Sequence, residues 1–438
     1  MSILSVVICI ALLVLLTARW SINPFIAFLI TAIVGGIILG IPLNKIPDAI
    51  EKGIGSILGS LAAIICLGAM FGKLIADSGA AQKITFVLVK FCGEKYITWA
   101  LMLTGFFVGI PLFYNVGFVL LVPLVFSVAY QTKLPAVYLG IPLLAALSVT
   151  HGFLPPHPSP TALVPQFKAD MGLTLIYGFI VALPTMMIAG PVFARFLKKM
   201  RSEPMATFTP DVIPDHALPS TGKSFFVALL PVLMLTVTTL TAPLVTGNAN
   251  LKLYLDFFGN PLMVMLIALI IASYSLGLAN GQSLGKIMQS FSQALKDISV
   301  ILLIIAGAGA LKQIFVESGV GNEIAASLKS IPINPLLLGW LIALIIRVSL
   351  GSATVAGLTA AGIMAPLVVT SPGINPNLMV LAIGAGSLMC SHVNDSGFWM
   401  FKEYFNLSLK QTFASWSVME TIVGMLGLIG VLLLDIIV

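Results

Sequence analysis

The sequence runs to 438 residues, of which 59% are hydrophobic and only 9% charged, with a mean hydropathy of +1.09. A soluble domain carries about 25% charged residues, so this chain cannot cover a water-facing surface and a soluble enzyme is excluded. At about 20 residues per membrane-spanning helix, the length accommodates ten or more spans with short loops and leaves no room for a soluble domain. The composition predicts an all-α polytopic membrane protein.

The formal net charge is +6. No run of Lys and Arg is interleaved with aromatics, so nucleic acid is not a predicted partner. The four cysteines, Cys9, Cys66, Cys92 and Cys390, form no C-x-x-C pair and read as small buried residues. The apolar stretch from Ile3 to Leu16 has no basic residue before it and no small-x-small cleavage site. It is expected to stay as a first span.

In chain order, apolar runs predict spans near 2–18, 23–43, 55–77, 136–150, 173–195, 225–245, 260–278, 298–316, 378–391 and 413–436. Two further stretches, 97–130 and 335–370, are apolar but broken at Tyr114-Asn115-Val116-Gly117 and at Gly351-Ser352-Ala353-Thr354. Each half is short for a span, so each stretch reads as a re-entrant hairpin; polar backbone at that depth must be buried in protein or line a cavity. The most polar stretch lies between Arg195 and Lys223 and includes Glu203, Asp211 and Asp215. It divides the chain into a first transmembrane repeat over 1–195, a cytoplasmic linker over 196–223 and a second repeat over 224–438. Arg19, Lys83, Lys90, Lys95 and Lys133 fall on the linker's side, which orients both termini outside.

The halves are related by matches at an offset of about 240 residues. Asn23-Pro24 recurs as Asn260-Pro261, Asp77-Ser78-Gly79 as Glu317-Ser318-Gly319, and Trp99 as Trp340. Pro123-Leu124-Val125 recurs as Pro366-Leu367-Val368, and Leu147-Ser148-Val149-Thr150-His151 as Leu388-Met389-Cys390-Ser391-His392. About five crossings plus one hairpin per repeat make the crossing number odd, so the expected fold is two inverted repeats, each also carrying a broken helix. Inverted repeats with broken helices at the midplane are a signature of secondary transporters.

Chemistry is expected at the breaks. Between Pro155 and Pro160 stand four prolines, which cannot continue a helix, and the partner segment Ser391-His392-Val393-Asn394-Asp395-Ser396-Gly397 is equally polar. Three of the four histidines, His151, His157 and His392, fall there. They either cap helix ends in an extramembrane loop or line a central site, and their repeat-related placement favours the site. Arg347, four residues before Gly351, either anchors a substrate carboxylate in a forked geometry or pairs with a carboxylate such as Asp395. Asp77 and Glu317 sit at span ends as solvated or capping groups, and the role of Glu420 in the last span stays open.

No nucleotide-binding loop, H-E-x-x-H or zinc-spaced Cys/His cluster occurs, so no cofactor and no metal are predicted. Gly222-Lys223-Ser224 lacks the upstream glycine of a phosphate loop. An intramembrane hydrolase using Ser391 and His392 is the rival class.

Over nearly its whole length the sequence resembles the gluconate permease family of proton-coupled symporters. The resemblance rests on His151-Gly-Phe-Leu-Pro-Pro-His157-Pro-Ser-Pro-Thr161, on Arg347 with Leu350-Gly-Ser-Ala-Thr-Val355, and on Ser391-His-Val-Asn-Asp-Ser-Gly-Phe-Trp399. Gly68-Ala-Met-Phe-Gly-Lys73 and Lys402-Glu-Tyr-Phe-Asn406 add to it. It implies a small sugar-acid or hydroxy-acid anion as substrate, chiefly gluconate, with idonate or D-serine in relatives. It also implies the larger ion-transporter class, in which a dimerising scaffold supports a mobile transport domain, so a bacterial inner-membrane homodimer working by an elevator-type motion is expected. The expected substrate-binding residues are Asn115, Gly117, Thr150, His151, Arg347, Gly351, Ser352, Thr354, Ser391 and Asn394. Asp395 is the first choice for carrying the proton and His151 or His392 the second. Family members often have a glutamate at the first hairpin tip, where this chain has Asn115, which cannot titrate.

Overall fold

Asparagine followed by proline opens four helices among the described residues. The side chains of Asn23, Asn260, Asn334 and Asn375 each accept a backbone N–H from the first turn, and the proline that follows sits where no N–H is needed. The computed structural model describes residues 2–110, 114–155, 157–202, 214, 218–241, 245, 249–320, 323, 333–370 and 373–438. Phe113, Pro156 and the linker residues Glu203, Asp211 and Asp215 lie outside the described residues.

The first half of the chain supplies α1 (Ser2–Val14), α2 (Pro24–Ile38), α3 (Ile46–Asp77), α4 (Ala80–Gly109), α5 (Tyr114–Thr132), α6 (Ala136–Phe153), α7 (Pro158–Gln166) and α8 (Met171–Met187). The second half supplies α9 (Thr221–Thr241), α10 (Ala249–Phe258), α11 (Pro261–Ala272), α12 (Leu284–Glu317), α13 (Pro335–Leu350), α14 (Ala353–Thr370), α15 (Pro376–Leu388), α16 (Ser396–Tyr404), α17 (Leu409–Thr412) and α18 (Val418–Asp435). No strand occurs among the described residues. Among the described residues, six helical segments are long and apolar enough to cross a membrane: 43–77, 136–153, 171–197, 261–280, 284–317 and 409–435. This is a multi-pass α-helical membrane protein.

Two of the expected spans, 136–150 and 378–391, prove to be the first limbs of broken helices, α6 continuing after a gap as α7 and α15 as α16. The first apolar stretch breaks earlier than expected. Helix α5 already begins at Tyr114, which places Asn115 and Gly117 in its first turn rather than in a loop. The second stretch turns at Gly351-Ser352, where it was expected.

The chain packs as two compact units, each drawing on both halves of the sequence. One comprises residues 60–147 and 194–300. Its core joins Phe71, Leu74 and Ala80 to Val227 and Leu230 of α9, Met265 and Ala268 of α11, and Ile287 and Phe291 of α12.

The other unit comprises residues 1–59, 148–193 and 301–438. Helix α15 runs through its middle with every residue from Asn377 to Leu388 buried. The Trp340 indole N–H of α13 donates to the Gly424 carbonyl of α18 at 3.1 Å. Asn377 Oδ1 accepts from the Asp170 N–H at 2.8 Å and from Thr174 Oγ1 at 2.9 Å, tying the start of α8 to α15. The outer face of α8 presents Ile176, Ile180 and Leu183, and that of α2 presents Ile26, Ile33 and Ile37. A rim as apolar as the interior is what a helix needs when its solvent is lipid.

Where α6 crosses α15, backbone meets backbone. A Cβ on Gly384 would lie 2.2 Å from the Gly152 carbonyl oxygen, and one on Gly152 would lie 2.4 Å from Leu388 Cδ1. This crossing sets the two helix breaks beside each other. Gly384→Ala is expected to force the helices apart at a cost of about 1–3 kcal/mol. A lowered midpoint of unfolding in detergent, followed by tryptophan fluorescence, checks this.

Candidate functional site

A helix that ends inside a membrane protein leaves its last carbonyls without partners. At the end of α13 those carbonyls are taken up by side chains from the break between α15 and α16. Asn394 Nδ2 donates to the Val348 carbonyl at 2.7 Å and to the Ser349 carbonyl at 3.1 Å. His392 Nε2 lies 3.0 Å from the same Val348 oxygen. Gly351 reverses the chain at φ +71°, in the left-handed region that favours glycine, and its N–H closes on the Arg347 carbonyl at 2.9 Å. A Cβ there would sit 2.1 Å from the Asn394 carbonyl oxygen, so the turn rests directly on the break.

The break has its own logic. Helix α15 ends at Leu388, Met389 is extended and Cys390 adopts φ +49°. Helix α16 restarts with Asp395 as its cap, whose Oδ1 accepts the Gly397 N–H at 3.1 Å. The other carboxylate oxygen, Oδ2, accepts from Arg347 Nη2 at 2.5 Å and from the Ser391 hydroxyl. Ser391 Oγ in turn accepts the Trp416 indole N–H at 2.7 Å, and the Ser391 carbonyl accepts from Ser417 Oγ at 2.5 Å. Trp416 and Ser417 lie in a π turn over Phe413–Ser417 at the start of the last span, a local widening of the helix often found at functional sites. The pair is well shielded, with the Arg347 and Asp395 side chains 5% and 12% exposed.

At the other break, α6 ends at Phe153 and α7 restarts with His157 as its cap and Pro158 in its first position. The His151 and His157 rings meet edge to face with centroids 5.3 Å apart. Thr150 is fully buried one residue before His151. Ser159, in the first turn of α7, packs on Gly357 of α14, where a Cβ would lie 2.5 Å from its hydroxyl.

The structure therefore gathers Thr150, His151, Arg347, Gly351, Ser352, Thr354, Ser391, His392, Asn394 and Asp395 into one unit, at two helix breaks and one turn. Ser352 caps α14, its hydroxyl accepting the Val355 N–H at 3.4 Å. Asn115 and Gly117 belong to the other unit, where Gly117 packs on Leu147. Of the two readings for Arg347, the ion pair with Asp395 is the one formed here. Arg347 Nε, Asn394 Oδ1, Ser159 Oγ and Thr161 Oγ1 are buried with no hydrogen-bond partner among the described residues. Buried polar atoms are nearly always paired, so these open donors and acceptors set the breaks apart from the regular helices.

Sequence reasoning missed several of these groups. Lys312 of α12 lies close enough for its charge to act on Asp395, and it forms no ion pair among the described residues. Glu420, whose role the sequence left open, is buried and accepts the Ser148 hydroxyl at 2.9 Å. The signal was present as a stripe of small and polar residues, Ser417, Glu420, Gly424 and Gly427, on one face of the last span.

Buried charges and open polar groups collect at the helix breaks of this multi-pass membrane protein, an arrangement met in secondary transporters. The sequence model of the GntP family permeases matches residues 1–437, and the chain belongs to that family. It is 47% identical to a high-affinity gluconate transporter of Escherichia coli over the full length of both chains, and 44% identical to a gluconate permease of Bacillus subtilis, again over both full lengths. It is 43% identical to an L-idonate transporter of Escherichia coli over 97% of each chain. Among solved structures it has a distant likeness to the YdaH transporter of Alcanivorax borkumensis, with 16% identity and a TM-score of 0.45 over 94% of this chain and 98% of that one.

Removing one member of a buried ion pair strands the other, at a cost of about 3–5 kcal/mol. Arg347→Met and Asp395→Leu are each expected to destabilise by that order, and the double variant by clearly less than their sum. A double-mutant cycle of unfolding free energies in detergent measures the coupling.

Proposed function

We propose that this permease imports gluconate or a closely related sugar-acid anion together with a proton, across a bacterial inner membrane. The observation that carries the reading is the buried Arg347–Asp395 pair at the meeting of a hairpin turn and a helix break, in a chain matched end to end by gluconate permeases.

The pair offers a way to make proton and anion travel together. While Asp395 is ionised it occupies Arg347. A proton on Asp395 cancels that attraction and frees the guanidinium to grip a carboxylate in a forked geometry, with Lys312 as a second cation nearby. The anion binds well only when the proton has bound. Moving a monoanion towards a negative interior costs about 2.3 kcal/mol per 100 mV, and one accompanying proton removes that cost. The substrate hydroxyls would be met by Asn394 Oδ1 and the Ser159 and Thr161 hydroxyls, with Thr150, Ser352, Thr354 and Ser391 close along the same elements. His151 or His392 is the second choice for the proton, with His392 Nε2 lying 3.0 Å from the Val348 carbonyl oxygen.

The resemblance to the family further supports an elevator-type motion, two inverted repeats with re-entrant hairpins, and a homodimer. In this reading the unit holding both helix breaks and the α13–α14 turn carries the substrate. L-Idonate is the leading alternative cargo, given the relative of that name, and D-serine or another small hydroxy acid follows. The hydrolase reading is not supported by the hydrogen bonds, since Ser391 donates to Asp395 and His392 is engaged by Val348.

In proteoliposomes, an imposed inward proton gradient is expected to drive concentrative uptake of labelled gluconate. No accumulation would sink the symport reading, and competition by a panel of sugar acids ranks the substrates. Asp395→Asn is expected to lose gradient-driven uptake while keeping gluconate exchange; loss of both, together with binding, would make Asp395 purely structural. Because binding takes up a proton, apparent affinity should fall as pH rises, by up to about tenfold per pH unit for one coupled proton. Ser352→Ala is expected to raise the half-saturating concentration about ten- to a hundredfold, the equivalent of roughly 1.5–3 kcal/mol for a hydrogen bond to a charged group.

A further inference from the structure

Away from the helix breaks, in the unit formed by residues 60–147 and 194–300, three cationic side chains line one cavity of about 570 Å³. Its walls are Lys95, Thr98 and Trp99 from α4, Leu134 just before α6, Tyr138 in the first turn of α6, Arg195 at the end of the helical segment 171–197 and Lys198 just after it. Among the described residues no carboxylate lines it and none of the three cations forms an ion pair. Lys198 is steered over the face of Tyr138, 5.2 Å from the ring centroid, and Lys95 lies 5.3 Å from the ring of Tyr96. Three like charges from separate stretches of chain repel one another unless an anion sits among them. The volume is within the range of about 300–1,000 Å³ usual for small-ligand sites.

We propose that this cavity binds the phosphodiester headgroup of an anionic phospholipid. The level of the cavity and its surroundings favour a lipid over a free anion. It lies at the end of a 27-residue apolar helical segment, where a span reaches the membrane surface. Phe196 is 80% exposed between Arg195 and Lys198, and Tyr96 is 54% exposed beside Lys95, so apolar rings flank the cations on the outer surface. Trp99 and Tyr138 add the amphipathic rings that settle at headgroup depth. The positive-inside rule also assigns these cations to the cytoplasmic side, where basic pockets between helices take up anionic headgroups. The acyl chains would lie along the apolar outer surface while the phosphate enters between Lys95, Arg195 and Lys198.

Thermal unfolding of the purified full-length protein in detergent tests this, titrated with phosphatidylglycerol, with phosphatidylcholine and with inorganic phosphate. Phosphatidylglycerol is expected to raise the unfolding midpoint and phosphatidylcholine to have little effect. The triple variant Lys95→Gln, Arg195→Gln, Lys198→Gln is expected to bind phosphatidylglycerol at least tenfold more weakly. Arg195→Gln alone changes one exposed side chain and is expected to weaken binding severalfold, which keeps the test decisive if the triple variant folds poorly. Equal affinity of wild type and Arg195→Gln for phosphatidylglycerol would overturn the proposal. So would equal stabilisation by phosphatidylcholine, or full stabilisation by inorganic phosphate alone, which would make the cavity a site for a free anion.

Discussion

Backbone that leaves the α-helix within a membrane protein must recover its hydrogen bonds from neighbouring groups, because lipid offers none. In this permease that requirement is met by reciprocity. The end of α13 lacks partners for its carbonyls, and the break after α15 supplies them through Asn394 and His392. The break in turn needs its own cap and counter-charge, and Asp395 and Arg347 supply these. Each irregular segment holds bonds that the other supplies. Each is the other's solvent.

The same economy explains why the charged groups fall where they do. Asp395 is at once a helix cap, the acceptor of the Ser391 hydroxyl and the counter-ion of Arg347, so one carboxylate satisfies three elements. Trp416 and Ser417 extend the network into the last span and hold Ser391 from two directions. Such a network responds to charge as a whole. The bonds of Arg347 and Asp395 are therefore part of what holds the turn on the break.

The two breaks are not copies in chemical terms, although they occupy matching places in the element order. One is built on proline, with His157 preceding Pro158 at the start of α7. The other is built on a charged cap and side chains that bond backbone. Division of labour follows from this difference. The proline-built break keeps its hydroxyls, Ser159 and Thr161, open, whereas the charged break spends most of its polar atoms on holding the turn.

Much of this was legible in the sequence. The apolar composition established a lipid environment, because 9% charged residues cannot hydrate a surface. The Asn-Pro dipeptides marked helix starts, and the proline-rich and Ser-His-Val-Asn-Asp segments marked the breaks, because capping and the missing proline N–H are local effects carried by the residues themselves. The place of the turn at Gly351 was legible for the same reason. The break before α5 was misplaced because Tyr114 and Asn115 are compatible with both a turn and a helix start. What only the tertiary structure decided was pairing. Whether Arg347 faced a substrate or Asp395, that Lys312 stood near that carboxylate, and that Trp416 reached back 25 residues to Ser391 all depend on which helices touch. So does the division into two units that each draw on both halves of the chain. Contacts across long sequence separations leave no periodicity in the chain, since burial and charge pairing are properties of packed surfaces rather than of any one helix.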